Sequence, residues 1–182
     1  MKTGKLFLYT PILLLLASCS GSYPPMRTVD HVDLNRYLGT WYEIARLPNS
    51  FQEGCLCTTA EYELIDENTI RVTNTCRQDS ALGDLDRAEG KAWVVPNSGN
   101  AKLEVSFFWP FKGDYWIIDL DKENYKYALV GTPSRKYLWI LSRAPQLADS
   151  INNKLLSVAK QEGFDLTNFI KTEHPCSAGA QF

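Results

Sequence analysis

Eight short runs of alternating apolar and polar residues, joined by short links, constrain this chain more than any other feature. The runs fall at 40–47, 55–64, 69–77, 87–95, 101–108, 114–120, 125–131 and 136–143. Between them stand Asp66-Glu67-Asn68, a polar stretch at 79–86, Pro96-Asn97-Ser98-Gly99-Asn100, and short polar links at 121–124 and 132–135. The link Trp109-Pro110-Phe111-Lys112-Gly113 is unusually apolar. Links this short join antiparallel neighbours, because a parallel pair needs a crossover of about a dozen residues. Eight such strands in succession predict an all-β fold, an eight-stranded up-and-down antiparallel barrel.

The alternation predicts what faces inward. In 101–108, Lys102 and Glu104 alternate with Leu103, Val105 and Phe107, so that strand has one wet and one dry face. In 136–143 both faces are apolar: Tyr137, Trp139 and Leu141 share one with Arg143, and Leu138 and Ile140 form the other. A strand apolar on both faces needs an outer cover. Leu147, Ile151, Leu155, Val158 and Ala159 recur at helical spacing, predicting a C-terminal α-helix from about Ala148 to Gly163, packed outside the barrel. Trp139 and Leu141 then point inward. Trp116, Ile118 and Leu120 are assigned a common face by the same rule. Ala88, Gly90 and Ala92 oppose Glu89 and Lys91, and small inward residues leave space. An eight-stranded barrel holds either packed side chains or one small ligand, and this wall favours a ligand. Trp41 opens the first strand and Arg143 closes the last. A guanidinium lying on the indole would close the floor, contributing about 2 kcal/mol if desolvated.

The chain's formal net charge is −2, and loss of Lys2 and Lys5 with a leader would leave −4. That is no footprint for nucleic acid. The two histidines, His31 and His174, lie before and after the strands, and both are expected in solvent. No histidine metal site or Ser-His-Asp set is indicated, and no cofactor is expected. Glu43 and Glu61 are read as surface or rim carboxylates rather than an acid/base pair.

The N-terminus carries an export signal. Lys2 and Lys5 precede an apolar run at 6–16, too short for the ~20 residues of a membrane span. Leu16-Ala17-Ser18-Cys19 follows and resembles the bacterial lipobox. That resemblance implies cleavage before Cys19 and its lipidation, and Ser20 in place of Asp favours the outer membrane. The expected organisation is a lipoprotein signal peptide at 1–18, a lipidated tether at 19–31 and a globular domain at 32–182. Four cysteines remain: Cys55, Cys57, Cys76 and Cys176. In an exported chain an even count reads as two disulfides, with three pairings open. Cys55-Leu56-Cys57 is not a Cys-x-x-Cys redox motif.

These residues together resemble the lipocalins. Gly39-Thr40-Trp41-Tyr42-Glu43 is similar to the Gly-x-Trp signature of that family. Gly113-Asp114-Tyr115-Trp116 stands where its second signature falls, and Tyr137 through Arg143 looks like the third. Trp41 through Arg46, Leu103 through Phe108, and Gln161-Glu162-Gly163-Phe164-Asp165 resemble bacterial lipocalins in particular, a subgroup close to apolipoprotein D and the plant temperature-induced lipocalins. The resemblance spans Val32 to about Lys171. It implies a cup-shaped barrel that binds a fatty acid or lysophospholipid in the cell envelope, without catalysis. Ligand-contacting positions carry over onto Tyr62, Asn74, Trp116 and Trp139. The resemblance also implies the pairs Cys55–Cys76 and Cys57–Cys176, with Cys57–Cys76 as the rival. Two other functional classes remain open. A few lipocalins are enzymes, one an isomerase with a pocket cysteine, and Cys76 near the mouth would need a free thiol for that. The apolar loop at 107–111 would serve an interaction protein by docking on a membrane or making a homodimer; otherwise it is a lid.

Overall fold

A computed structural model of the chain describes residues 23–176. The expected signal peptide, Cys19 and the first residues of the expected tether lie outside the described residues. The described elements are α1 (Leu34–Tyr37), β1 (Gly39–Arg46), β2 (Cys55–Asp66), β3 (Thr69–Gln78), β4 (Leu85–Val94), β5 (Lys102–Phe108), β6 (Phe111–Leu120), β7 (Tyr127–Gly131), β8 (Leu138–Ser142), α2 (Asp149–Gln161) and β9 (Ile170–Lys171). Neighbours run in the order β2-β3-β4-β5-β6-β7-β8-β1, and β1 also pairs with β2, closing an eight-stranded antiparallel barrel. The two-residue β9 pairs with Ala45 and Arg46 of β1, past the stretch that pairs with β2. Strand β6 starts at Phe111 rather than at the expected Asp114. Phe108 pairs directly with Phe111, so only Trp109-Pro110 turns the chain.

Two apolar layers hold the fold together. Inside the barrel, Trp41, Ile70, Val72, Leu103, Ile117, Val130 and Leu141 form one buried cluster. Outside, Leu129, Leu138 and Ile140 pack with Leu155, Ala159 and Phe164. This is the helix cover that the two-sided apolar pattern of β8 requires. Gly131 makes room for it, since a Cβ there would stand 2.7 Å from the Phe164 ring. Helix α2 begins after Ala148 and gives way at Gly163, whose φ of +88° suits glycine.

The outer layer corrects two expectations. Trp116 and Ile118 do share a face, but it is the outer one, and both join the cluster beneath α2. Leu120 joins the inner cluster with Ile117. The cause is a shift in the β6–β7 register between Ile117 and Asp119, which reverses the phase of β6 along its length. The tether expected at 19–31 is not free from Tyr23 onward. Met26 and Val29 are buried, Val29 N–H donates to the Ile117 carbonyl (3.0 Å) and Val32 N–H to that of Gly99 (2.8 Å). Arg27 pairs with Glu162 at 2.7 Å, and Arg135 donates to the Pro24 carbonyl at 2.7 Å. Pro24 and Pro25 work against regular structure here, but distant partners satisfy the backbone all the same.

Of the three cysteine pairings the structure holds Cys55–Cys76 and Cys57–Cys176. The first ties β2 to β3 and the second ties β2 to the C-terminal tail. On a chain-entropy account they stabilise by about 3 and about 5 kcal/mol, the longer loop contributing more.

Candidate ligand cavity

The floor is built where β1 follows α1. The Asp33 carboxylate accepts from the N–H groups of Asn35 and Arg36 and starts a single helical turn. Gly39, at φ +87°, swings the chain out of that turn into β1. Trp41 is then fully buried, and its indole N–H donates to the Tyr37 carbonyl at 2.8 Å. The Arg143 guanidinium lies 3.9 Å from the indole centroid. It also donates to the carbonyls of Thr40, Arg36 and Leu38, each at 2.8 Å, and of Tyr37 at 3.2 Å. A helix end leaves carbonyls without partners; here one arginine takes them up and covers the floor with the same group.

Above this floor lies a cavity of about 660 Å³, with Tyr62, Asn74, Leu103, Tyr115, Trp139 and Leu141 in its wall. Most of its surface is apolar. A cluster of hydroxyls lies low down, where that of Tyr115 sits between those of Tyr37 (2.8 Å) and Tyr62 (2.7 Å). Burial pushes the Tyr62 hydroxyl up to about 12 and raises Tyr37 and Tyr115 well above the usual tyrosine value. All three are therefore neutral at physiological pH, able to hydrogen-bond without acting as a base. Ionised side chains enter the wall only toward the mouth, as Asp86, Lys112 and Asp114. A neutral interior below a charged rim suits a ligand with an apolar body and a polar end.

The small-residue wall is partly used by the protein itself. Ala88 and Ala92 line the cavity, but Phe107 lies against Gly90, where a Cβ would meet its ring at 2.8 Å. Trp139 is held by a chain of polar groups that starts in the cavity wall and leads out of it. Its indole N–H donates to Gln52 (2.9 Å), whose amide donates to Glu43 at 2.5 Å. Glu43 in turn accepts from Arg46 at 2.9 Å and from Thr172 at 2.5 Å. Glu43 is thus a buried, paired carboxylate and not a surface or rim residue. His174 is likewise half-buried rather than in solvent, with Nε2 2.7 Å from the Glu43 carbonyl. Both corrections have one cause, since the tail folds back over β1 and is pinned by Cys57–Cys176. His31 and Glu61 are exposed.

Tyr62, Asn74 and Trp139 are brought together in the cavity wall, and Trp116 is not among its lining residues. Alternation gives the inner face of β6 to Tyr115, so Trp116 turns outward, where the Lys102 ammonium lies 4.0 Å from its ring. Tyr115, Tyr37 and Gln52 were not expected as site residues. Tyr115 and Ile117 alternate on the face opposite Trp116, but both faces of that strand carry apolar residues, so alternation alone does not say which points inward. Gln52 sits on an irregular loop and gave no periodic signal. The thiol of Cys76 is consumed by its disulfide. Among the described residues no group of three or more His, Cys, Asp or Glu is placed to hold a metal ion.

Comparison with known proteins agrees with this geometry. The family model for a lipocalin-like domain matches residues 32–174. The outer membrane lipoprotein Blc of Escherichia coli K12 is 44% identical over 165 residues, covering 90% of this chain and 92% of its own. Temperature-induced lipocalin-1 of Arabidopsis thaliana is 38% identical over 156 residues, covering 81% and 82%. Among solved structures, insecticyanin of the tobacco hornworm Manduca sexta superposes with a TM-score of 0.66 at 24% identity, covering 83% and 85%.

Proposed function

Because the chain belongs to the lipocalin family, we propose that it is a lipid carrier of the outer membrane, acylated at Cys19 and binding one fatty acid or lysophospholipid in its cup. The observation that carries this reading is the cavity itself. It encloses about 660 Å³ and keeps its ionisable groups at the rim or in neutral form. That volume lies within the roughly 300–1,000 Å³ of small-molecule sites. Burial of an acyl chain supplies about 0.8 kcal/mol per methylene, less the cost of immobilising it. Tyr62, Asn74 and Trp139 are the ligand-contacting residues, with Tyr115 added. The headgroup stays at the mouth, beside Lys112 and Asp86. Binding rather than catalysis fits a site whose tyrosine cluster is neutral and whose lining cysteines, Cys55 and Cys76, are joined in a disulfide. The Blc relative's name places that protein at the outer membrane, and Leu16-Ala17-Ser18-Cys19 supports the same address here.

The test is titration of the folded protein with a lysophospholipid below its critical micelle concentration. Wild type binds one molecule per chain, and Trp139→Ala weakens binding at least tenfold. Trp116→Ala leaves affinity unchanged, because Trp116 faces α2. Equal losses from both tryptophans would place the ligand elsewhere. Mass analysis of the mature N-terminal peptide reports separately whether Cys19 carries acyl chains.

A further inference from the structure

The loops at the two ends of the barrel differ in their exposed side chains. Three links surround the mouth with apolar groups. Leu82, between β3 and β4, is 97% exposed; Phe108 and Phe111, at the β5–β6 turn, are 81% and 77% exposed. Phe51, between β1 and β2, and Leu85, at the start of β4, are also exposed. Phe51, Phe108 and Phe111 line the cavity as well, so the exposed rim is continuous with its interior. Trp109 of the same turn is exposed as well, its ring centroid 6.4 Å from that of Trp93 on β4. Exposed apolar side chains gathered in this way mark a surface that meets an apolar partner.

The N-terminal segment identifies the partner. Residues 23–32 run along the outer wall from one end of the barrel to the other. At the floor end, Val32 bonds to Gly99 in the β4–β5 link. At the far end, Pro24 accepts from Arg135 and the Tyr23 ring lies 5.0 Å from the same guanidinium. Arg135 belongs to the β7–β8 link, whose Thr132 and Ser134 line the cavity mouth. The chain therefore enters the described structure at the mouth. Cys19 lies four residues before Tyr23, within ~14 Å even if fully extended. Strands of about ten residues, tilted by about 40°, give a barrel roughly 25 Å tall. Cys19 itself therefore cannot reach the floor end, and its acyl chains hold the mouth near the bilayer.

We infer that the apolar rim formed by Phe51, Leu82, Leu85, Phe108 and Phe111 seats on the lipid surface, so that the cup is held mouth-down and cargo passes between bilayer and cavity without crossing water. The docking rests on the reading of Cys19 as acylated. Asp79, Asp84 and Asp86 stand beside Leu82, so the surface that fits is zwitterionic, and contact comes from apolar insertion rather than from basic residues.

The experiment places the mature acylated protein in vesicles of phosphatidylcholine and phosphatidylethanolamine with brominated acyl chains, which quench tryptophan at short range. Leu82→Trp puts a reporter on the rim. Leu64→Trp puts one at the floor end, beside the residues of α1. Both sites are exposed and outside the cavity wall. The emission added by Leu82→Trp falls several-fold more in brominated than in plain vesicles, and that added by Leu64→Trp is unchanged. Equal quenching, or quenching of Leu64→Trp alone, overturns the docking. So does an unquenched rim on a protein that L82D with L85D converts from dimer to monomer in sedimentation velocity; the rim would then seat a second copy. Flotation of the vesicles and uptake of monomeric lysophospholipid are measured in parallel. Protein that does not float removes the anchor and the docking with it. Floating, lipid-binding protein with an unquenched Leu82→Trp removes the docking alone and leaves the carrier function standing.

Discussion

The floor and the mouth of this barrel are built from similar residue types put to opposite uses. At the floor, Trp41 is fully buried, its indole N–H is bonded, and Arg143 covers its face while bonding three carbonyls at the end of the preceding turn and that of Thr40 in β1. At the mouth, Phe108 and Phe111 stand in solvent on a tight turn, and the nearby Lys112 reaches outward to Glu104. An aromatic ring stabilises a fold only where the rest of the chain can surround it. The floor has α1, β1 and β8 to do that. The mouth has only hairpin links, so its rings remain available to a ligand or a surface.

Substitutions at the two ends should separate stability from binding. Trp41→Ala removes a buried aromatic and strands Arg143, and should cost about 3–5 kcal/mol in urea unfolding. Glu43→Ala leaves Arg46 buried without its partner and should cost about 3 kcal/mol or more, since breaking a buried pair is far costlier than losing a surface one. The hydroxyl cluster above the floor predicts an alkaline limit. Tyr62 ionises near 12 when folded and near 10 when unfolded. The folded state holds that proton more tightly, so the stabilisation is complete below about pH 10 and is lost as pH rises toward 12. Tyr62→Phe should flatten that part of the stability profile. Phe108→Ser sits at the small end of the scale for folding, within about 0.5 kcal/mol of wild type. It should nonetheless weaken lipid binding measurably, because Phe108 lines the cavity. A Phe108→Ser protein as destabilised as Trp41→Ala would mean that the two ends are not different in kind.

Much of this arrangement was legible from residue order. The strand count and the outer helix follow from alternation and from the two-sided apolar pattern of β8, and the pairing of Trp41 with Arg143 is read from their places at the start of the first strand and the end of the last. What escaped was non-local. A register shift past Ile117 put Leu120 on the opposite face from Trp116, and no residue type announces such a shift. The Pro- and Gly-containing stretch after Cys19 looks like a linker in sequence, yet its backbone finds partners at Ile117 and Gly99, far along the chain. Glu43 and His174 read as exposed in sequence because the tail that covers them is brought back by a disulfide that spans 119 residues. In each case the deciding contact joins segments whose proximity only the closed barrel creates.

The most direct test of the carrier function is native mass spectrometry of the acylated protein after gentle extraction from the membrane. A single fatty acid or lysophospholipid should accompany each chain, with its occupancy reduced in Trp139→Ala and preserved in Trp116→Ala. A cup that emerges empty and ignores added lipid, in a protein whose floor is intact, would contradict the account.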